Sequence, residues 1–389
     1  MKIIKDAILN IGSDNITLAI IDGKCSNSFF YESYKAFLGF QNGNFIDEED
    51  LFFCIKSLIK ECETSVFGKI SKILVGVPGE FTNVIEKEVE MSLGPTRRKI
   101  ISRDADNILI KGEPIKNDSN VAINASPICY ILDENERTMC PEGKYAQNIK
   151  AQISYVLCDR YFYDLFNDIS NELNICFEYT STILAETMFL MPRDARDNGA
   201  FLVDIGFISS SVAFSQGDGL VFIKSFSLGG GYIASDIMDV LDIPYDHVAS
   251  LAEKININLS PASNDQYYIS VNNSNFAYKI SLINEIAVSA IDDICDYVQK
   301  AINSCPYKSQ ESSPIYLTGS GFANITGARE RMAQILGKDI EIISSPIPQY
   351  NKPSFSGIAS LLMLMQTKIN KIGFFNKLLN NFKYIFRRK

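Results

Sequence analysis

The alternation of apolar and polar residues predicts two similar β-hairpins, one in each half of the chain. The first covers residues 7–23, "AILNIGSDNITLAIIDG", and the second covers residues 200–219, "AFLVDIGFISSSVAFSQGDG". In each, an apolar strand ends at a glycine, a polar turn follows, and a second apolar strand returns. Gly12 and Gly206 stand where a tight turn needs backbone angles that glycine adopts readily. A repeated hairpin at the start of each half predicts a duplicated α/β fold.

A third glycine-rich turn follows an apolar strand in residues 314–336, "PIYLTGSGFANITGARERMAQIL". Gly319, Ser320 and Gly321 form this turn, and a helix is predicted after it. Glycines between a strand and a helix let a ligand approach backbone N–H groups and the positive end of the helix. Three such turns in this order indicate a ligand site more specifically than one of them alone.

The rest of the chain alternates predicted helices with predicted strands. Charged stretches surround two apolar segments in residues 79–168, where we expect a small separate α/β unit. Residues 260–278 are rich in Ser and Asn and are expected to form a loop or an edge hairpin. Helices are predicted over 47–66, 160–173, 233–240, 281–302 and 354–366, and a buried strand over 72–78.

The composition of the chain excludes several functional classes. A net charge of −9 over 389 residues argues against a nucleic-acid-binding protein. The nine cysteines are scattered, as reduced thiols of a cytosolic protein are. His247 is the single histidine, so it is expected to be structural rather than catalytic. Because there is no signal-peptide pattern and no run of roughly 20 apolar residues, we expect a cytoplasmic protein.

The last residues of the chain differ from the acidic remainder. From 369 to 389 there are six lysines and arginines and no acidic residue. On a helical wheel the large apolar residues share one face and most cations the other, which predicts a helix lying in the interface of an anionic membrane. A C-terminal helix packed on the body is the alternative. The expected membrane-contacting residues are Ile372, Phe374, Phe375, Leu378, Leu379, Phe382, Ile385, Phe386, Lys377, Lys383, Arg387 and Arg388.

The order of these parts resembles the actin-like ATPase superfamily and, within it, the FtsA family of bacterial cell-division proteins. "LGGGYIASDI" (228–237) resembles the family's V-G-G-x-x-I-T-x-D-I segment, "LAEK" (251–254) its A-E-x-x-K helix, and "LTGSG" (317–321) its adenosine turn. "KIISRDADNILI" (99–110) is similar to the start of the FtsA inserted subdomain, and the tail resembles the family's membrane-targeting sequence. The resemblance implies a duplicated actin-like (ribonuclease-H-like) α/β fold with that insertion and a C-terminal amphipathic helix.

The resemblance also implies a domain plan. Subdomain 1 is expected over 1–78 and 169–198, the insertion over 79–168, the second half over 199–244, a small partner-binding subdomain over 245–313, the adenosine turn and closing helix over 314–366, and the linker with the membrane helix over 367–389.

The two phosphate loops of the family correspond to Asn10–Thr17 and Asp204–Ser211. The expected nucleotide-binding residues are Gly12, Ser13, Asp14, Asn15, Asp204, Gly206, Ser209, Ser210, Gly229, Gly230, Glu253, Gly319, Ser320 and Gly321. Asp204 is also the candidate metal ligand, and no catalytic residue is assigned.

Several positions depart from the family pattern. Asn10 stands where the first loop has Asp, Phe207 and Ile208 replace two glycines of the second loop, and Ser211 replaces its final Asp. Asn256 stands at the lysine position of the A-E-x-x-K helix. Bulky side chains resist positive φ and hinder close approach of the backbone. We therefore expect an intact adenosine side, weakened ATP binding, a lapsed Mg²⁺ site and little or no hydrolysis.

The resemblance implies an adaptor at the inner face of the cell membrane that binds the FtsZ C-terminal peptide and self-associates into filaments. Two alternatives remain open. One is an actin-like ATPase or kinase, with Asp14 or Asp204 as the candidate catalytic residue. The other is a divergent paralogue that serves as the cytoplasmic platform of another membrane machine, such as pilus assembly.

Overall fold

The computed structural model describes residues 2–4, 6–21, 29–112 and 118–370. The predicted membrane helix at 371–389 lies outside these residues. The first half contains β1 (Lys2–Ile4), β2 (Ala7–Ile11), β3 (Asn15–Ile21), β4 (Phe29–Ala36), β5 (Phe40–Gln41), β6 (Asn44–Phe45), α1 (Glu48–Ser65), β7 (Gly68–Ile70) and β8 (Lys72–Val77). After an insertion it continues with α3 (Arg160–Leu173), β15 (Cys176–Ser181), α4 (Thr182–Leu190) and α5 (Arg193–Asn198).

The insertion contains mainly strands, and the second half alternates strands with helices. The insertion comprises β9 (Thr82–Ser92), β10 (Arg98–Lys99), α2 (Ser102–Lys111), β11 (Asn120–Leu132), β12 (Glu136–Thr138), β13 (Tyr145–Ala146) and β14 (Asn148–Asp159). The second half comprises β16 (Ala200–Ile205), β17 (Ser210–Gln216), β18 (Gly219–Phe226), α6 (Gly231–Leu241), α7 (Tyr245–Ala252), β19 (Gln266–Val271), β20 (Ser274–Lys279), α8 (Ile280–Ser304), β21 (Ile315–Thr318), α9 (Ala328–Leu336), β22 (Ile340–Ile342) and α10 (Ser356–Asn370).

Each half is built on a five-stranded sheet with the same topology. The order is β15-β8-β2-β3-β4 in the first half and β18-β17-β16-β21-β22 in the second. In both, three antiparallel strands that begin with the predicted hairpin are extended by two parallel strands. The duplication predicted from the two hairpins is therefore confirmed.

Helices cover both faces of the first sheet. Leu51 and Ile55 of α1 pack with Phe162 and Phe166 of α3 in the core on one face. On the other face α4 and the closing helix α10 pack on β2 and β8. Because α10 follows the second half in sequence but packs on the first sheet, it ties the two halves together.

The insertion has its own sheet and its own core. Its strands have the order β12-β11-β14-β9, and α2 packs on that sheet. Arg98 holds the first turn of α2 through a bidentate pair with Asp104 (2.7 and 2.8 Å). The expected end of the insertion at residue 168 falls inside α3, and α3 packs in the first-half core. The helix predicted over 160–173 is confirmed.

Two smaller predictions in the second half also have clear outcomes. The Ser- and Asn-rich stretch forms the hairpin β19–β20, which was one of its two predicted forms. His247 stacks on Phe276, with ring centroids 4.1 Å apart, and shares a hydrogen bond with Tyr278.

Among the described residues, no helix is long and apolar enough to cross a membrane.

The insertion also contacts the second half directly. Asp218 at the β17–β18 turn donates its N–H to the carbonyl of Pro127 (3.2 Å), and Ser154 donates to the carbonyl of Leu220. Gly217 in that turn has a φ of +62°, and a Cβ there would clash with the carbonyl oxygen of Ile128. The close approach of the insertion to the β17–β18 turn therefore requires glycine.

The Gly217→Ala substitution tests this contact. We expect it to lower the free energy of unfolding by roughly 1–3 kcal/mol more than Gly143→Ala, because only the former adds overpacking to an unfavourable φ. Gly143 is a matched control, since its φ is +87° and no atom lies within 4 Å of its Cβ position. Urea titrations measure both variants, and equal losses would contradict the interpretation.

Candidate functional site

The two hairpin turns have the same hydrogen-bonded form. The N–H of Gly12 donates to the carbonyl of Asn15 (2.8 Å), and the N–H of Gly206 donates to the carbonyl of Ser209 (3.0 Å). Each turn follows the first strand of its sheet, β2 or β16, so both lie at the carboxyl ends of those strands. Ligands of open α/β sheets bind outside this end.

A cavity of about 120 Å³ lies between the two turns and is lined by both halves. It also touches the adenosine turn that follows β21. The structure therefore brings together most of the predicted nucleotide-binding residues. Those that line this cavity are Gly12, Ser13, Asp14, Asn15, Asp204, Gly206, Ser209, Gly319 and Ser320.

The other predicted residues do not line the cavity. Ser210 is buried in β17, where its hydroxyl donates to a backbone carbonyl (2.7 Å). Gly229 and Gly230 pack their backbone on the second turn and on Gly321, leaving no room for a Cβ. Glu253 follows α7 and lies outside the lining of this cavity and of the larger one described next.

A larger cavity of about 260 Å³ lies beside the adenosine turn. The segment after α7 pairs directly with its far wall, because Ile257 donates to Thr326 (2.9 Å) and Thr326 donates to Ile255 (3.2 Å) through backbone groups. This cavity has room for a flat ring system, and Gly319 and Pro353 line both cavities. Its lining is Leu317, Thr318, Gly319, Phe322, Ala323, Asn324, Ile325, Thr326, Gly327, Arg329, Glu330, Ile342 and Pro353.

The two turns are in direct contact through Ile208. Its backbone N–H donates to the hydroxyl of Ser13 (3.0 Å), which belongs to the first turn. Its side chain packs so closely on Gly39 that a Cβ on that glycine would lie 2.7 Å from the Ile208 methyl group. A backbone N–H that could bind a phosphate oxygen is thus already bonded within the protein.

The N-terminus of α6 is engaged in the same way. Gly230 donates its N–H to the carbonyl of Gly206 (2.9 Å), and Gly231 donates to the carbonyl of Phe207 (2.7 Å). The ring of Phe207 also covers Gly231. Free N–H groups at a helix N-terminus attract anions, but these two donors are already satisfied.

A further set of contacts joins the halves beside the turns. Asn42, in the turn between β5 and β6, donates its N–H to the hydroxyl of Ser227 (2.8 Å) in the second half. Glu80 accepts from both Ser227 (3.1 Å) and the N–H of Gly43 (2.7 Å). The cleft is therefore closed by protein groups of both halves.

The charge of the smaller cavity is one-sided. Asp14, Glu80, Glu186 and Asp204 line it, and no Lys, Arg or His is among the described residues of its lining. Burial raises the pKa of Asp204 to about 6, and burial together with the Asp204 charge raises the pKa of Glu186 well above its usual range. Burial also raises the pKa of Asp14. Such a wall repels phosphate and favours protons or cations.

Sequence reasoning assigned no role to Glu186 or Thr182. Glu186 is 2% exposed, and one of its carboxyl oxygens has no hydrogen-bond partner in the protein. The Thr182 hydroxyl and the side-chain carbonyl of Asn10 also lack a protein partner, and all three residues line the cavity. The available signal was a charged residue inside the apolar stretch "TILAETMFL", because Glu is almost never fully buried without a reason.

The residues do not form a metal site by themselves. Among the described residues, no three His, Cys, Asp or Glu side chains are grouped closely enough to hold a metal ion. Burial raises the pKa of both Asp204 and Glu186, and the Asp204 charge raises that of Glu186 further, which favours the protonated form of Glu186. Mg²⁺ at these carboxyl groups would need water or phosphate oxygens as further ligands.

The Asp204→Asn substitution tests the buried pair. The pKa of an aspartate in the unfolded chain is 3.8, whereas the pKa of Asp204 in the folded chain is about 6. The protonated Asp204 therefore contributes its full stability below pH 3.8, and this contribution is lost as the pH rises through 6. Removing the charge is expected to raise the free energy of unfolding at pH 8 by roughly 1–3 kcal/mol, and by less at pH 5. Urea titrations at both pH values measure this. Asp168→Asn, on the exposed surface of α3, is the control, and an Asp204→Asn variant less stable than the parent at pH 8 would contradict the assignment.

Comparison with known sequences gives distant relatives, and no family model matches the chain. The cell division protein FtsA of Buchnera aphidicola is 20% identical over 75% of this chain and 70% of its own length. FtsA of Escherichia coli K12 is 21% identical over 53% of the chain, which spans about half of that protein. FtsA of Enterococcus hirae is 18% identical over 83% of the chain and 74% of its own length.

Comparison with solved structures covers nearly the whole chain. A chain of the PilM–PilN type IV pilus biogenesis complex matches with a TM-score of 0.58, at 13% identity over 93% of this chain and 98% of its own. MreB5 of Spiroplasma citri bound to AMPPNP matches with a TM-score of 0.56, at 10% identity over 95% of this chain and 99% of its own. The chain has the actin-like fold, and its sequence is distantly similar to the FtsA cell-division proteins.

Proposed function

We propose that this chain is a membrane-associated actin-like adaptor of cell division, which tethers FtsZ filaments to the inner face of the cytoplasmic membrane. The observation that carries the proposal is the sequence similarity to FtsA over 75% of the chain. The fold agrees with it, and the basic, aromatic-rich tail after α10 supplies the expected membrane segment.

In this proposal the cleft is a weak nucleotide site that hydrolyses little or no ATP. Three candidate donors for phosphate, the N–H groups of Ile208, Gly230 and Gly231, are bonded within the protein. A triphosphate would also meet four carboxyl groups with no cation beside them. Adenosine could still enter the larger cavity, which is lined mainly by the adenosine turn and the start of α9. An ATPase would use carboxylates to hold Mg²⁺ beside the phosphates, but Asn10 and Ser211 stand where the loops of the FtsA family carry Asp.

Restoring the two glycines tests this part of the proposal. The Phe207→Gly/Ile208→Gly variant is expected to bind ATP roughly tenfold more tightly than the parent chain, because the second turn regains close backbone approach. Calorimetry with Mg-ATP and with ATP plus EDTA measures the affinity.

The Asn272→Gly/Asn273→Gly variant is the matched control. These residues already have positive φ in the β19–β20 turn, far along the chain from the cleft, so glycine there changes only flexibility. Tight, Mg²⁺-dependent ATP binding with turnover by the parent chain would overturn the proposal in favour of an ATPase.

The FtsZ C-terminal peptide is proposed to dock on the subdomain at 245–313. This region consists of α7, the β19–β20 hairpin and α8, and it exposes large apolar side chains. A short peptide could bury these apolar side chains in a small interface. The exposed set is Tyr245, Leu259, Tyr268, Leu282 and Tyr297.

Self-association into filaments is proposed as well, since solved actin-like relatives include a MamK double helical filament.

Truncation after Asn370 tests the membrane and FtsZ parts together. The truncated chain is expected to bind vesicles rich in phosphatidylglycerol at least 100-fold more weakly, because it loses six cations worth about 1 kcal/mol each near an anionic surface. Co-sedimentation with vesicles, with and without FtsZ, measures both steps, and neutral phosphatidylcholine vesicles are the control. Equal binding by the two chains would contradict the tether, whereas vesicle binding without FtsZ recruitment would favour the pilus-type paralogue.

A further inference from the structure

Phe67 follows the C-terminal cap of α1, a position where the chain commonly turns left-handed and where Gly or Asn is usual. It lies between α1 and β7 with a φ of +49°, a left-handed conformation that a bulky side chain rarely adopts. Its side chain is also 87% exposed, the highest value among the large apolar residues described. Local strain of this kind persists where the surrounding structure holds a residue in place for a function.

The neighbouring ladder extends this exposed apolar spot. β1 pairs in parallel with β7, with Ile3 opposite Lys69. Ile3 is 66% exposed, and Lys69 is exposed beside it. Lys60, in the last turns of α1, is exposed as well. We call Ile3, Phe67 and Lys69 the ladder patch.

The ladder patch lies at the end of the molecule where the described chain stops. Gly357, near the start of α10, contacts the Asn10 side chain at the carboxyl end of β2. Met365, two turns on, packs with Ile8 and Leu74 nearer the amino ends of β2 and β8. From Gly357 to Asn370 the helix advances about 20 Å, which exceeds the roughly 10 Å from Asn10 back to Ala7.

The end of α10 is therefore level with the amino ends of β2 and β8, and β1 and β7 directly precede those strands. The basic, aromatic tail begins at this end. A few exposed side chains offer too little area for a stable protein–protein interface, which buries roughly 800 Å² on each partner. Phe67 with Lys69 beside it suits an anionic lipid surface, and the nearby Glu63 carboxylate accepts the N–H of Ile70 (2.8 Å).

We infer that the ladder patch is a second membrane contact, in which Phe67 inserts into the lipid interface beside the tail and Lys69 meets anionic headgroups. The inference rests on the proposed membrane association of the chain and adds an orientation to it. The tail would bring the body to the bilayer, and the ladder patch would fix which end of the body faces it.

A tryptophan at position 67 gives a direct test, because the chain contains no tryptophan. The full-length Phe67→Trp variant is mixed with vesicles of equal parts phosphatidylcholine and phosphatidylglycerol. Its emission is expected to shift to the blue and to be quenched by brominated acyl chains. Phe53→Trp is the matched control, since Phe53 is 68% exposed near the opposite end of α1 and is expected to remain unquenched.

A second variant measures the contribution of Phe67 to binding. Phe67→Asn is expected to fold at least as stably as the parent, because Asn tolerates positive φ, and to partition into the same vesicles roughly 3–10-fold more weakly. Phe53→Ala is expected to leave partitioning unchanged.

The outcomes separate the inference from the proposed function. If the full-length chain binds these vesicles while the Phe67→Trp emission stays unquenched and Phe67→Asn binds as the parent does, the inference is wrong and the tail alone makes the contact. If the full-length chain does not bind them, the membrane proposal itself fails. A loss of self-association in Phe67→Asn with unchanged vesicle binding would assign the patch to a second copy of the chain and overturn the inference.

Discussion

The hydrogen bond from the Ile208 N–H to the Ser13 hydroxyl is the contact on which the site depends, because it joins the two hairpin turns directly. In an actin-like fold a ligand between the turns would link the halves. Here backbone and hydroxyl groups of the protein form that link, and α10 reinforces it by packing on the first sheet. The two halves are therefore joined at the turns by groups of the protein itself.

The charges of the cavity are consistent with that closure. Buried carboxyl groups normally require a cation or a proton, and the described lining supplies no basic side chain. Asp204 and Glu186 come from opposite halves, so ionising both would make the halves repel, whereas protonation of Glu186 removes that repulsion. The hydrogen-bonded turns and a protonated carboxyl group are therefore both compatible with close contact of the two halves.

The sequence was sufficient for features that depend on local pattern. Alternating apolar residues that end at Gly12 and Gly206 predicted both hairpins, and α3 begins and ends where its apolar period does. The Ser13–Ile208 contact was not predictable, because it joins residues 195 positions apart. The burial of Glu186 was missed for the same reason, since only the packing of α4 against the second half places it beside Asp204. The insertion boundary fell inside α3 because composition does not reveal which core a helix packs on.

A chain whose cleft is closed by its own groups has its distinctive chemistry on the surface. The costly feature of the described surface is an exposed phenylalanine with positive φ at the end of α1. Selection on folding alone would replace Phe67 by Gly or Asn, which relieve the strain and remove the exposed ring. Its presence therefore agrees with the proposed surface contact at that end of α1.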